Sequence, residues 1–291
     1  MTAPLRFGVR ISNQSLAIET QRAAWRIVDE GGFDHLWTMD HIIAHGADPG
    51  RPILDSWTLM AAQSVETRRV RLGVLVTANL YRHPAVLAKM AVTIDHLSGG
   101  RVIVSLGASS AEREFVALGM PFGTPGERVR KLRESCIVMK KLWTEERSNF
   151  KGRFFTLTDA VAEPKPLQRP RPELWIGGYG AKGTLRVAAK HADVWNASGG
   201  RGFETTLAAS RTLDEHCQAI GRDPASLRRS VQLSWTDDHD ADLANAERYV
   251  EAGFSEFVID VGQDTLASVE ELARVGLPRL RELGERQEIA R

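Results

Sequence analysis

Short apolar, β-rich runs alternate with amphipathic helical patterns along the chain, and this alternation constrains the fold more than any other feature. The runs are Phe7–Ile11, His35–Met39, Val70–Val76, Val102–Leu106, Leu174–Ile176, Val194–Asn196, Val231–Trp235 and Glu256–Val261. Most are bounded by Gly, Asp or Asn, the residues that punctuate strands. Between them, apolar residues recur at helical spacing over Ile18–Glu30, Asp55–Glu66, Pro84–Leu97, Gly126–Trp143, Ala181–His191, Phe203–Ile220, Ala241–Ala252 and Thr265–Gly284. Strict alternation of this kind predicts βαβ units and a parallel sheet. Eight such units in 291 residues match the size of an α/β (β/α)8 TIM barrel. A doubly wound open sheet is the alternative, but it rarely uses eight such even units.

One segment interrupts the rhythm. Residues 144–172 contain NFKGRFF (Asn149–Phe155), a hairpin pattern, and then the proline-rich EPKPLQRPRP. We read it as an insertion between the fourth helix and the fifth strand, within one domain spanning residues 1–291, and not as a linker.

The bulk numbers narrow the function classes. A formal net charge of +1 gives no reason to expect nucleic acid or an anionic membrane surface as a partner. No stretch approaches the roughly 18 to 20 apolar residues of a membrane span. The start, MTAPLRFGVRIS, lacks the apolar core of a signal peptide. Cys136 and Cys217 both fall in helical patterns, which suits small core residues in a reducing cytoplasm better than a disulfide or a metal site. Trp25, Trp37, Trp57, Trp143 and Trp175 fit packing positions, and His35, His83, His96, His191 and His216 fit structural ones.

In a barrel of this class, chemistry sits where strands end. The ends read Arg10-Ile11-Ser12-Asn13, Thr38-Met39-Asp40-His41, Thr77-Ala78-Asn79, Gly107-Ala108-Ser109-Ser110, Gly177-Gly178-Tyr179-Gly180, Trp195 to Arg201, Ser234-Trp235-Thr236 and Asp260-Val261-Gly262. This rim is rich in hydroxyls, amides and glycine. It holds no His-x-His pair or carboxylate cluster, so no metal is expected. A Gly-x-Ser-x-Gly elbow and a Gly-x-Gly-x-x-Gly turn after the first strand are both missing. The two small-residue turns, after strands four and five, could bring backbone and hydroxyl donors to an anion, or could be tight strand-to-helix turns with no ligand. Asp40-His41 is the most polar end. Two readings stand: Asp40 is a turn cap and His41 a rim residue with no role, or His41 supplies a proton-exchanging group near neutral pH.

The segment LGVLVTANLYRHPAVLAKMAVTIDHLSGGRVIVSLGASSAEREFVALGMPF (Leu72–Phe122) resembles the luciferase-like monooxygenases. The branch that uses the deazaflavin coenzyme F420 is most similar. FDHLWTMDH (Phe33–His41), GERVRKLRESCIVMKKLW (Gly126–Trp143) and LWIGGYGAKGTLRVAAKHADVWN (Leu174–Asn196) extend the likeness, which weakens after about Phe203. The resemblance implies a (β/α)8 barrel with the cofactor across its rim, and it resolves the glycine turn in favour of an anion site. Asp40 would contact the ring and His41 would be the catalytic group at the reacting face. A non-prolyl cis peptide is expected at Val74-Leu75 or Leu75-Val76 behind the ring, with Thr77 and Asn79 at its edge. Gly107, Ala108, Ser109, Ser110, Gly177, Gly178, Tyr179 and Gly180 would hold the cofactor phosphate, and Lys182, Arg186 and Lys190 would flank the exit of its acidic tail. Ser12, His45, Ser198 and Arg201 are the candidates for the substrate.

Two departures matter. Ser110 stands where the family's sugar-phosphate dehydrogenases carry a catalytic glutamate; Glu112 and Glu114 lie nearby, but in the register of the following helix. The aromatic residue that follows the Asp-His pair in those enzymes is replaced, with His45 close to its place. The expected activity is hydride transfer between coenzyme F420 and a small organic substrate other than a sugar phosphate, in a homodimer. The alternative is a flavin mononucleotide (FMN) monooxygenase that uses oxygen and a reductase. A cofactor-free binding or structural barrel is a third reading, against which the polar strand ends and the two glycine turns argue.

Overall fold

A computed structural model describes residues 4–262 and 265–289. Eight strands run Arg6–Arg10, His35–Thr38, Arg71–Val74, Val102–Gly107, Glu173–Gly177, Val194–Ser198, Arg228–Ser234 and Glu256–Asp260, here called strands one to eight. Each pairs in parallel with the next. Strand eight returns to strand one, with Arg6 to Arg10 opposite Glu256 to Asp260, so the sheet closes and leaves no edge. Helices between the strands cover the outside, as the alternating pattern predicts.

The lumen is filled by pairing the largest side chains with glycines. A Cβ on Gly8 would lie 1.7 Å from His35 Nδ1, and one on Gly73 would lie 2.2 Å from the Trp37 ring. The Trp37 indole N–H donates to His35 Nδ1 at 2.6 Å, and the Trp37 and Trp175 rings meet with centroids 4.7 Å apart. With Leu75, Ile103, Val194 and Val258 these tryptophans form an apolar layer of their own. Below it, at the strand starts, Arg6, Arg71 and Arg228 pair with Glu173 and Glu256. Burial pushes the Glu256 carboxyl up, but His35, Arg228 and Arg6 outweigh it and hold it below its ordinary value. The lumen is thus plugged from below, and only the other mouth is open for a ligand. Gly8→Ala leaves no room for the His35 ring, and we expect it to abolish soluble expression or to lower the melting temperature by at least several degrees, since one methyl too many in a packed core costs about 1–3 kcal/mol even when neighbours can yield.

The structure corrects several sequence boundaries. Strand three ends at Val74, not Val76; the Leu75-Val76 bond is cis, and the chain rejoins the sheet at Thr77–Ala78 beside Leu106 and Gly107. The helix expected from Ala181 begins at Thr184, because the Gly180 carbonyl accepts the N–H groups of both Gly183 and Leu185 and keeps 181–183 in a turn. A short helix, Glu112–Ala117, was not anticipated as a separate element. The hairpin is longer than Asn149–Phe155, with arms Ser148–Lys151 and Thr156–Ala160; the buried Glu134 carboxylate accepts the N–H groups of Arg153, Phe154 and Phe155 and ties it to the helix Pro125–Thr144. The last helix divides into Thr265–Glu271, a π turn Leu272–Gly276 and Leu277–Ile289. Gly276 sits in that π turn where a Cβ would lie 2.7 Å from the Trp235 ring.

His191, at the end of Thr184–His191, is buried beside cations. Burial, then Lys140, Lys190 and Arg133, push its imidazole down to about 4. In the unfolded chain it would titrate near 6.5. The folded value is the lower one, so its contribution is complete above about pH 6.5 and is lost as pH falls towards 4, on the order of 3 kcal/mol in all. We expect the His191→Asn variant to show a flatter melting temperature between pH 6.5 and 4 than the parent protein. An unchanged slope would contradict this account.

Candidate active site

A cleft of about 470 Å³ opens at the C-terminal mouth of the barrel. Asp40 and His41 just after strand two, Leu75 and Val76, Gly107 to Ser110, Gly177 to Tyr179, and Ser198 with Arg201 all line it. Its floor carries Arg10, Asn196 and Gln232, joined in a chain. Arg10 pairs with Asp260 and donates to the Gln232 amide oxygen at 3.1 Å; Gln232 donates to Asn196 Oδ1 at 2.8 Å, and Asn196 donates to Ser230 Oγ at 2.9 Å. Each amide is therefore fixed in orientation by its neighbour. Arg10 and Asn196 stand in the strand ends given above and Gln232 does not; none of the three is a sequence-level site candidate, although each lies on the inward parity of its strand.

The cradle after strands four and five is tightly built. Val76 inserts between Gly107 and Gly177: a Cβ on either would lie 2.5 Å and 2.6 Å from its two methyl groups. Gly178 has φ 129° and Ser109 φ 64°, both in the left-handed region. Trp195 Nε1 donates to the Gly178 carbonyl at 2.8 Å, and the Tyr179 hydroxyl donates to the Ser198 carbonyl at 2.6 Å. The Ser109 hydroxyl is buried and has no hydrogen-bond partner among the described residues. A buried hydroxyl normally finds a hydrogen bond. An orphaned donor beside a glycine cradle fits an anionic group of a bound cofactor.

Asp40 does more structural work than the sequence implied. It is 5% exposed, accepts from Ser56 Oγ at 2.7 Å and from the Ala78 N–H at 2.9 Å, and pairs with Arg82 at 2.8 Å. His41 is partly open to the cleft, and its Nδ1 lies 2.5 Å from Glu114 Oε1. Glu114 is 3% exposed and also takes the N–H groups of Ile42 and Ile43 and the hydroxyl of Tyr81. Burial alone would push the Glu114 carboxyl up, but these donors outweigh it and hold it below the usual carboxylate value. Burial and Glu114 together raise Tyr81, so its hydroxyl keeps its proton. Glu114 lies on the short helix Glu112–Ala117, and its side chain reaches back to the segment 41–43 that follows strand two.

Six expected residues stand off the cleft wall. Val74 packs outward into the main core. Thr77 is fully buried and accepts from Trp57 Nε1 at 3.2 Å, while Ala78 takes the place at the mouth. Asn79 is buried beside it with an unpartnered amide nitrogen. Ser12 closes a local turn with Gln14. His45 is exposed, but its ring stacks on His41 with centroids 5.2 Å apart. Gly180 forms the helix entry described above. Lys182, Arg186 and Lys190 line a separate outer groove with Arg130 and Arg133. Among the described residues no cluster of three His, Cys, Asp or Glu could hold a metal, and no helix is long and apolar enough to cross a membrane.

The luciferase-like monooxygenase profile matches residues 1–288. The chain belongs to the luciferase-like monooxygenase family. Within it, the chain is 31% identical to an F420-dependent glucose-6-phosphate dehydrogenase of Kineococcus radiotolerans, over 81% of this chain and 69% of the relative. It is 28% identical to an FMNH2-dependent dimethylsulfone monooxygenase of Pseudomonas putida, over 80% and 68%. Among solved structures, an F420-dependent secondary alcohol dehydrogenase in complex with an F420-acetone adduct superposes with a TM-score of 0.81 at 20% identity, covering 96% of this chain and 99% of that one. That likeness establishes the shared barrel.

Proposed function

We propose that this chain is an oxidoreductase that uses coenzyme F420 and transfers a hydride between it and a small organic substrate. The observation that carries the reading is one cleft that combines a glycine-serine cradle, with an unpartnered Ser109 hydroxyl, and a histidine whose Nδ1 is already engaged. Several curated relatives with similar sequences are named as F420-dependent dehydrogenases, which supports the cofactor. When bound, the deazaflavin would supply the two-electron carrier. Gly107 to Ser110 and Gly177 to Tyr179 would hold its anionic part, with Leu75, Val76 and Ala78 against its ring.

The protein's own groups then handle the proton. Oxidising an alcohol to a carbonyl removes a hydride from carbon and a proton from oxygen; reduction reverses both. His41 Nε2 takes or returns that proton, while Arg10, Asn196 and Gln232 orient the polar end of the substrate. Leu75, Val76 and Phe115 make the cleft wall apolar and keep water from competing. A phosphate on the substrate would meet Arg201, which is exposed and lies 5.6 Å over the Tyr179 ring, and an Arg10 already paired with Asp260. We therefore assign an uncharged secondary alcohol, or the matching ketone, before a sugar phosphate.

The test is anaerobic turnover. Oxidised F420 is mixed with secondary alcohols or glucose 6-phosphate, and reduced F420 with ketones and enones. Bleaching or recovery of the deazaflavin with an uncharged substrate is expected. Oxygen uptake with FMNH2 and no F420 turnover would overturn the proposal.

We further propose that one catalytic domain of this kind works as a homodimer. Val65 on Ser56–Glu66, and Val86 and Leu97 on Pro84–Ser98, are exposed on two helices packed side by side. Light scattering should give twice 32.2 kDa; a monomer mass would refute it. Cys136 and Cys217 are free and buried, which supports a cytoplasmic setting.

A further inference from the structure

Glu114 has no assigned part in the chemistry above, yet it is the most heavily hydrogen-bonded carboxylate at the mouth. We infer that Glu114 is the positioning residue of His41, fixing the imidazole as its Nδ1–H tautomer so that Nε2 alone exchanges a proton with the substrate. The inference rests on the proposed function for its catalytic meaning, but its geometry stands by itself.

Oε2 of Glu114 receives the N–H of Ile42 at 2.9 Å, the N–H of Ile43 at 3.2 Å and the hydroxyl of Tyr81 at 2.7 Å. Backbone N–H groups can only donate, so that oxygen is committed as an acceptor. Oε1 faces His41 Nδ1 at 2.5 Å. An ionised carboxylate has no proton to give, so Nδ1 must carry the proton between them. Nε2 is then the lone-pair nitrogen of the neutral ring. Fixing the tautomer through the other ring nitrogen is how a histidine base is made ready without being consumed.

The carboxylate is itself immobilised. Phe115, the next residue, stacks on Tyr81 with centroids 4.8 Å apart, and Arg113 donates to the Ala44 carbonyl at 3.2 Å. His45 is held by Gln14, whose amide exchanges two bonds with its backbone at 2.6 Å and 3.1 Å, and its ring covers the outer face of His41. The loop 41–45 is therefore pinned by Gln14, in the loop after strand one, and by Glu112–Ala117, with Glu114 at the junction.

The test is the imidazole nitrogen spectrum of 15N-labelled protein at a pH where the ring is neutral, with His41 assigned by its loss in His41→Gln. The intact protein is expected to show Nδ1 protonated and Nε2 bare. In Glu114→Gln the amide NH2 faces Nδ1 and needs an acceptor, so the signal should move to the Nε2–H form; Tyr81→Phe should keep the Nδ1–H form. With a turnover substrate, Glu114→Gln should lower kcat by about 10²-fold or more with little change in KM. An Nε2–H ring in the intact protein, or an unchanged tautomer in Glu114→Gln, would overturn the inference. Should Glu114→Gln fail to fold, the intact protein's spectrum still decides. Should F420 fail to bind while the tautomer is as expected, the proposed function fails and the positioning role survives.

Discussion

The His41→Gln variant is expected to turn over with F420 about 10²- to 10⁴-fold more slowly, the range a positioned acid or base contributes, with cofactor affinity nearly unchanged. The expectation follows from where the ring stands. Its Nδ1 is held by Glu114, its side chain is 25% exposed, and it lines the cleft. Glutamine keeps a donor for Glu114 and much of the volume, so the loop 41–45 should stay in place while the proton-exchanging nitrogen is lost. The melting temperature and the F420 titration serve as controls. Turnover within about threefold of the parent would mean that another group, or solvent, moves the proton.

The second large effect is steric. In Gly177→Ala the new Cβ would lie 2.6 Å from a Val76 methyl, and in Gly107→Ala the distance to the other methyl is 2.5 Å. Valine has few allowed rotamers, and both of its methyls are already enclosed by glycines, so rotation offers no relief. Val76 must then move towards the cleft it lines. We expect each variant to lose about 1–3 kcal/mol of stability, the usual cost of overpacking, and to bind F420 at least about tenfold more weakly. The double variant Gly177→Ala/Val76→Ala should recover most of the stability, because the clash is a pairwise term. Equal affinities in the parent and both single variants would show that the cofactor does not press against this wall.

The sequence carried the architecture because periodicity is a property of each element alone. All eight strands and their order were legible, as were the cradle and Asp40-His41, which sit at strand ends that must face the mouth. Contacts between distant elements were not. Glu114 lies on a helical turn, and nothing local says that its carboxylate reaches back to His41, 73 positions earlier. Arg10, Asn196 and Gln232 share a floor only once the barrel closes. The fit of Gly8 beneath His35 and of Gly73 beneath Trp37 likewise depends on register across strands. Thr77 and Asn79, expected at the ring edge from the resemblance, stand off the cleft because strand three stops at Val74 and the chain re-enters the sheet in a new phase, which brings Ala78 to the mouth. The likeness to relatives supplied the region of the cis bond, and the structure places it at Leu75-Val76.

Binding of the cofactor is the claim on which the rest depends, and Trp195 gives a direct reporter because its indole N–H bonds to the Gly178 carbonyl in the cradle. Tryptophan emission should be followed while coenzyme F420, and separately FMN, is added to the purified protein. Saturable quenching by F420, with FMN at least about tenfold weaker, is the predicted result, a gap of about 1.4 kcal/mol in binding free energy. Tight, saturable binding of FMN with no response to F420 would contradict the account and assign the cleft to flavin chemistry.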